Sequence, residues 1–443
     1  MKHRQLIDGC FVDPQESGAL DVVKAIGAMN RSYQQWQKET SAVRSQHFLR
    51  AVESFRSKIQ NAASELSALL ADEIGTAVEV SQAESLPTSL VLLDHFLEDF
   101  RQHLGRPLLP VGHSALFLGW NDPLVQFCRR VPAIMSAGGG VVVKPSRRAS
   151  QTVLRVGELW SQALSESQVS AGLFAVLTGG HEGADSVGAL LLEHPGFKTV
   201  FWVGETDTGL AAERLVVASG KRFQMSGSGR NPAIIFTHPD GELDRIADDV
   251  VAACLSTHTL GPWRPSRLFV QEAVYKALVE RIADRMREIR NPSVLPERET
   301  TRFLEQTKQA LSETGRLVVG GELSDGQPLP TLIRDLTNCS TLQSQELSGP
   351  LLTIASFKYQ HEALKYANTS PLGLCGYVVH PEAEKANEVL RRIEAGVLSP
   401  KLRLSWTDAM EAGTASVKDS GRGPQGMLEV GSFCSWRGRI LPN

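Results

Sequence analysis

A chain of 443 residues, 42% hydrophobic and 21% charged, has the balance of a folded globular protein but is too long for one compact core, so two or three domains are expected. With 46 basic against 49 acidic residues and a net charge of −3, it offers no basic field for nucleic acid and no acidic tail. The polar start Met1–Gln5 excludes a secretory apolar core at that point, and no apolar run is long enough to cross a bilayer.

The predicted elements begin with helices. Val22, Val23, Ile26, Met29, Tyr33 and Trp36 recur at helical spacing, and Phe48, Val52, Phe55 and Ile59 do so again. Gly105-Arg-Pro107 and Pro110 break the pattern before a short strand, Ala115-Leu-Phe-Leu118. Gly138-Gly-Gly140 opens a second strand, Val141-Val-Val143, which ends in Lys144-Pro145-Ser146. A helix follows with Val153, Val156, Trp160 and Ala163 on one face, then the strand Phe174-Ala-Val-Leu177 closed by Gly179-Gly180. Val187, Leu190 and Leu191 mark the next helix, and Thr199-Val-Phe-Trp-Val203 the next strand, ended by Gly204. Strands alternating with helices at this spacing predict βαβ units around a parallel sheet. Ala233–Phe236 and Leu268–Val270 continue the strand signal, and a helix is predicted from about Glu272 to Ile289. The chain ends in a Gly-rich segment and a strand-like Phe433-Cys-Ser-Trp436.

Six cysteines (Cys10, Cys128, Cys254, Cys339, Cys375, Cys434) are scattered without a CxxC pair. That argues against a disulfide framework and a structural zinc site, and points to reduced thiols in a cytoplasmic protein.

Short signatures then fall in a fixed order. Trp120-Asn121-Asp122-Pro123 precedes Val131-Pro132-Ala133, Ala137-Gly138 and Val141-Val-Val-Lys-Pro-Ser146. Val203-Gly204 with Thr208-Gly209, Gly229-Arg-Asn-Pro232, Pro265-Ser-Arg267, Glu346-Leu-Ser-Gly-Pro350 and Val417-Lys-Asp-Ser-Gly421 follow. From roughly residue 5 to the C-terminus this order resembles the aldehyde dehydrogenase superfamily. The resemblance implies a Rossmann-like cofactor domain over 1–102 and 119–223 and a second α/β domain over 224–415. It also implies a small β oligomerisation element from 103–118 and 424–443, and with it a homodimer or dimer of dimers.

In the family the lysine of Lys-Pro-Ser binds the adenosine ribose, which implies Lys144 with Ser146 beside it. NAD-preferring members often carry glutamate three residues after that lysine. Here Arg147, followed by Arg148, offers a guanidinium pair that favours a 2′-phosphate, so NADP before NAD. The phosphate turn keeps Gly204, but its serine position is Glu205, a carboxylate set against a pyrophosphate. Glu346 matches the glutamate that holds the nicotinamide ribose, while Ser348 replaces an apolar wall of that pocket. Both changes argue against dinucleotide binding.

Aldehyde oxidation of the family's type needs a thiolate nucleophile, oxyanion donors and a carboxylate base. Asn121 matches the oxyanion asparagine. The base falls on Ser226 or, with an insertion, on Gln224, and neither ionises usefully at neutral pH. Aligning on Pro265-Ser-Arg267 puts Pro262 at the nucleophile, and aligning on Leu255 puts Gly261 there. Neither carries a thiol, and proline also lacks the backbone donor. Cys254 lies several residues upstream, and Thr257 and His258 are polar neighbours in the same window. These readings predict a catalytically degenerate relative with a structural, regulatory or ligand-binding role, its old cleft open to a small molecule. The alternative is an active NAD(P)-dependent oxidoreductase with a displaced nucleophile such as Cys254.

Overall fold

A computed structural model of the chain describes residues 4–14, 18–102, 104, 109–110, 112–136, 138–179, 186–255, 261–289, 295–405, 408, 417–423 and 434–435. Thr257, His258, Ala137, Gly180, Phe433, Trp436 and the break at Gly105–Pro107 lie outside the described residues. The chain forms two compact units, residues 1–225 with 423–443 and residues 226–422.

The first unit is built on strands β1 (Gln5–Ile7), β2 (Cys10–Val12), β4 (His113–Leu118), β5 (Val141–Pro145), β6 (Phe174–Val176), β7 (Phe197–Val203) and β8 (Arg222–Ser226); β3 (Leu109–Pro110) stands apart. The sheet order within the unit is β2-β1-β6-β5-β4-β7-β8. Strands β6, β5, β4 and β7 are parallel, and β1 is antiparallel to both of its neighbours. Because successive side chains of a strand point to opposite faces, β4 feeds two cores. Leu116 and Leu118 join one with Phe48, Phe55 and Trp160, while Ala115 and Phe117 join the other with Ile26, Met29 and Phe197. Helices therefore cover both faces, the condition under which a parallel sheet is stable.

The helix Ser41–Asn61 is N-capped by Thr40, whose hydroxyl accepts from the Val43 N–H. Its stripe Phe48, Val52, Phe55, Ile59 is fully packed, with Phe55 and Trp160 edge to face at 5.0 Å. Gly140 leads into β5 where a Cβ would lie 2.4 Å from Met29 Cγ, so only glycine lets this strand start against the Gly18–Trp36 helix.

One expectation is corrected here. His113–Leu118, assigned with residues 103–118 to a projecting element, is a central strand of the sheet, flanked by β5 and β7. Its all-buried pattern, HSALFL, reflects burial on both faces. Among the described residues of that segment, β3 pairs antiparallel with Cys434–Ser435.

The second unit carries β9 (Asn231–Ile235), β10 (Pro265–Gln271), β11 (Arg316–Val319), a hairpin of β12 (Leu323–Ser324) and β13 (Gln327–Pro328), β14 (Thr331–Arg334), β15 (Leu351–Phe357), β16 (Leu372–Gly373), β17 (Cys375–Val379) and β18 (Val397–Ser399). Its seven-stranded sheet runs β11-β14-β15-β10-β9-β17-β18, parallel except for β11. No described helix is long and apolar enough to cross a membrane.

Asp122 is a point of local stress in the first unit. It adopts a left-handed backbone with φ +46° and caps the helix Pro123–Met135, accepting from the Val125 N–H at 3.2 Å and the Ser85 hydroxyl at 2.7 Å. Burial raises its carboxyl to about 6, and these hydrogen bonds only partly oppose the rise. Against an unfolded value of about 3.9, the native state holds this proton more tightly than the unfolded chain. The Asp122 contribution to stability is therefore most favourable below about pH 4 and falls as pH rises towards about 6. Asp122→Asn keeps a capping oxygen and removes the charge, so it should stabilise by on the order of 2 kcal/mol near neutral pH and by little near pH 4. Denaturant titrations at the two pH values measure this, and a gap that does not widen with pH contradicts it.

Candidate functional site

In the first unit the carboxyl ends of the central strands surround a cavity of about 420 Å³. Its walls include Phe117, Lys144, Arg147, Thr178, Leu192 and Trp202. Trp202 stacks on Phe117 at 5.2 Å, and its indole N–H donates to the Glu205 carbonyl at 3.3 Å. Gly209 is required beneath it, since a Cβ there would lie 2.8 Å from the indole and 2.4 Å from Met225 Sδ.

Lys144, next to last in β5, has its ammonium donating to the Pro145 carbonyl at 3.0 Å, and its pKa is lowered by burial and then by Arg147. Ser146 shapes the turn that follows: its N–H donates to the Leu118 carbonyl at 2.7 Å, and its hydroxyl accepts from the Arg148 N–H.

The expected guanidinium pair does not form. Arg147 reaches the cavity, but Arg148 lies over the Trp120 ring at 4.5 Å and donates to the carbonyls of Glu73 and Ile74. Those carbonyls end the helix Ala63–Ile74, where a cation is favourable. Sequence reasoning also missed Glu73. Its carboxylate accepts the Gln151 and Thr152 N–H groups, both at 2.7 Å, and so fills the N-terminus of the helix Ser150–Glu166. No local pattern joins residues 73 and 151; only the packing of the two helices does.

Gly204 ends β7, and Glu205 sits at the start of the helix Thr206–Ala218. The Thr208 hydroxyl donates to the Glu205 carboxylate at 3.2 Å, so this helix carries its own anion at the end that would face a pyrophosphate. The cavity has the size and chemistry for a nucleoside, but the turn does not fit the diphosphate of an intact dinucleotide. Asn121 is half-buried in the loop between β4 and the helix capped by Asp122. Gln224 and Ser226 share one face of β8, with Met225 buried on the other.

In the second unit Gly261 and Pro262, the two candidates for the nucleophile position, lie in a tight turn, Gly261–Arg264, closed by the Arg264 N–H donating to the Gly261 carbonyl at 3.0 Å. The Asn231 amide donates to the carbonyls of Pro262 (2.8 Å) and Arg264 (2.9 Å), and its oxygen accepts from the Cys375 N–H at 3.0 Å. The Tyr377 hydroxyl donates to the Trp263 carbonyl. Gly229 permits this approach, because a Cβ would fall 2.8 Å from the Pro262 carbonyl oxygen. Preceding it, Gly227 donates to the Ser420 carbonyl, and the Ser420 hydroxyl donates to the Ser228 carbonyl at 2.7 Å.

Three buried arginines complete the frame. Arg230 donates to Leu342 O, Ser266 O and Thr353 Oγ1, and Arg267 to the carbonyls of Arg230, Tyr366 and Ala367. Arg264 donates to Leu347 O at 3.2 Å and Gly349 O at 2.8 Å, with its pKa lowered by burial against the opposing pull of Cys254 and Glu346. The Glu346 carbonyl accepts from Gln306 at 2.9 Å. Ser348 is buried, its hydroxyl donating to the Glu299 carboxylate at 2.7 Å, so it is bound into the unit's own packing. Cys254 is fully buried and its thiol is pushed up to about 12 by burial, partly opposed by Arg264. No group of three potential metal ligands occurs among the described residues.

Solved structures with the same build are aldehyde dehydrogenases. One from Sinorhizobium meliloti, described as NAD-dependent, is 24% identical, with 99% of this chain and 96% of that one covered at a TM-score of 0.85. An indole-3-acetaldehyde dehydrogenase in complex with NAD+ is 21% identical over 98% and 95% of the two chains, also at 0.85. One from Bartonella henselae is 20% identical over 98% of each, again at 0.85. At these identities the likeness establishes an α/β fold of the aldehyde dehydrogenase type. Residues 8–435 match the aldehyde dehydrogenase family, and the chain belongs to it.

Thiol chemistry at Cys254 can be tested directly. Iodoacetamide near pH 8 should modify exposed Cys10 and Cys339 in the native protein and spare Cys128, Cys254 and Cys375 until denaturant is added. Peptide mass mapping reads the pattern, and native alkylation of Cys254 would contradict its assignment as a buried neutral thiol.

Proposed function

We propose that this chain is a catalytically degenerate member of the aldehyde dehydrogenase family, with a structural, regulatory or ligand-binding role. The observation that carries the reading is the Gly261–Arg264 turn. Neither candidate nucleophile position in it bears a thiol, and its carbonyls are committed to Asn231 and Tyr377. Ser226 and Gln224 supply no carboxylate base, and the nearby Cys254 is a buried neutral thiol. Asn121, the matched oxyanion donor, is left without a nucleophile to serve.

The cofactor reading divides in the same way. Lys144, Thr178 and the Trp202 ring suit a nucleoside, whereas Glu205 sets a carboxylate against a diphosphate. NAD and NADP should therefore bind weakly, and with Arg148 turned away no preference for the 2′-phosphate of NADP is expected. A homodimer or dimer of dimers is in keeping with the small β3 arm, and a reducing cytoplasm with the five free cysteines described.

The test is calorimetric titration with NAD and NADP, together with aldehyde-dependent reduction of either cofactor over a broad aldehyde panel. No turnover and weak binding are expected. Glu205→Ser should tighten binding about fivefold by removing repulsion of ~1 kcal/mol at the helix N-terminus. Turnover by the wild type that is lost in folded Cys254→Ala would overturn the reading in favour of a displaced nucleophile.

A further inference from the structure

Lys144 stands at the carboxyl end of a central strand, and its half-buried side chain is part of the wall of the cavity of about 420 Å³. It is the only lysine among the described lining residues. Elsewhere in the chain Lys58, Lys385 and Lys418 each hold a carboxylate, at 2.7, 2.7 and 2.8 Å. Lys144 is different. Its ammonium donates to the Pro145 carbonyl, and no carboxylate among the described residues pairs with it. Burial and then the Arg147 guanidinium lower its pKa, and no described group opposes them. Burial lowers the pKa of Lys221 as well, but that ammonium is engaged by the Leu192 carbonyl and does not line the cavity.

Space adjoins the amine. Gly179 and Gly188 border Lys144 Cε, which would lie 3.6 and 3.9 Å from a Cβ at the two positions, so neither residue places a side chain over the end of the stem. The apolar part of the wall is formed by Phe117 and Trp202, stacked on each other at 5.2 Å, with Val187 and Leu192. A primary amine whose charged form is disfavoured, set in a cavity with apolar walls, is a nucleophile for a carbonyl carbon. Arg147 on the same wall favours a carbonyl compound that also carries an anionic group.

We propose that Lys144 captures small anionic aldehydes in this cavity as a reversible imine. The Nζ lone pair forms a bond to the carbonyl carbon while the carbonyl π pair moves onto oxygen, and transfer of a proton from nitrogen to that oxygen gives a carbinolamine. Loss of the oxygen as water, taking one proton from solvent while nitrogen returns its own, leaves the imine. The reaction releases one water, changes no oxidation level and reverses by hydrolysis. It deepens the ligand-binding role proposed above by naming the ligand class and the atom that holds it, and it needs neither a thiol nor a dinucleotide.

The experiment is reductive trapping of the full native chain with cyanoborohydride and limiting 4-carboxybenzaldehyde near neutral pH, read by peptide mass mapping. Lys144 should carry the secondary-amine adduct several-fold above any other lysine, Lys221 included, and unfolding in denaturant should erase that preference. Lys144→Arg keeps the charge and should remove the preferred adduct, with a melting curve to show that the variant is folded. Should it fail to fold, the wild-type map decides the question. Arg147→Gln should still capture benzaldehyde but lose the advantage of 4-carboxybenzaldehyde over it. The proposal is overturned if native Lys144 is labelled no more than the exposed lysines, if its preference survives unfolding, or if Arg147→Gln leaves the ratio of the two aldehydes unchanged. Such a failure leaves the loss of thiol chemistry standing, because aldehyde-dependent cofactor reduction reads that separately.

Discussion

The Asn231 side chain is the constraint on which the second unit's site depends. One amide holds three backbone groups, the carbonyls of Pro262 and Arg264 and the N–H of Cys375, and so joins the turn after the helix Asp240–Leu255 to the strand β17. Backbone groups buried in a turn must find partners, and a side-chain amide with two donors and an acceptor is suited to the task. The turn carries both candidates for the nucleophile position, and the described hydrogen bonds to its carbonyls come from Asn231, Tyr377 and its own backbone.

The same division runs through the other retained signatures. Gly229 is there because the turn comes too close for a Cβ. Arg230 and Arg267 satisfy carbonyls at the ends of strands and helices. Ser420, in the Asp-Ser-Gly signature, ties down the Gly227–Ser228 backbone. These residues serve the fold whether or not a reaction takes place. Under the proposed reading, the changes fall on positions matched to the chemistry: Gly261 or Pro262 carries no thiol, Ser226 or Gln224 no carboxylate, and Glu205 stands where a phosphate turn would have serine. The framework residues answer to packing and backbone hydrogen bonding, demands separate from those of the reaction.

Much of the fold was legible because periodicity reports burial. The stripe Phe48, Val52, Phe55, Ile59 and the run Val141–Val143 could be placed from sequence by spacing and β-branching. The role of His113–Leu118 was not legible, because a short run of apolar residues looks the same at a sheet's centre and in a projecting arm. In the candidate site, the identities at 261, 262, 205 and 348 could be read directly, but their surroundings could not. That Arg148 turns to Trp120, that Glu73 fills a distant helix N-terminus and that Ser348 is held by Glu299 all depend on long-range packing.

The central claim is that no cysteine of this protein forms a covalent intermediate with an aldehyde. Intact-mass spectrometry after incubation with a reactive aldehyde and either NAD or NADP tests it most directly. The account predicts no thioester-linked acyl group on any cysteine. A hydroxylamine-sensitive acyl adduct, mapped to Cys254 or to any other cysteine, would contradict it.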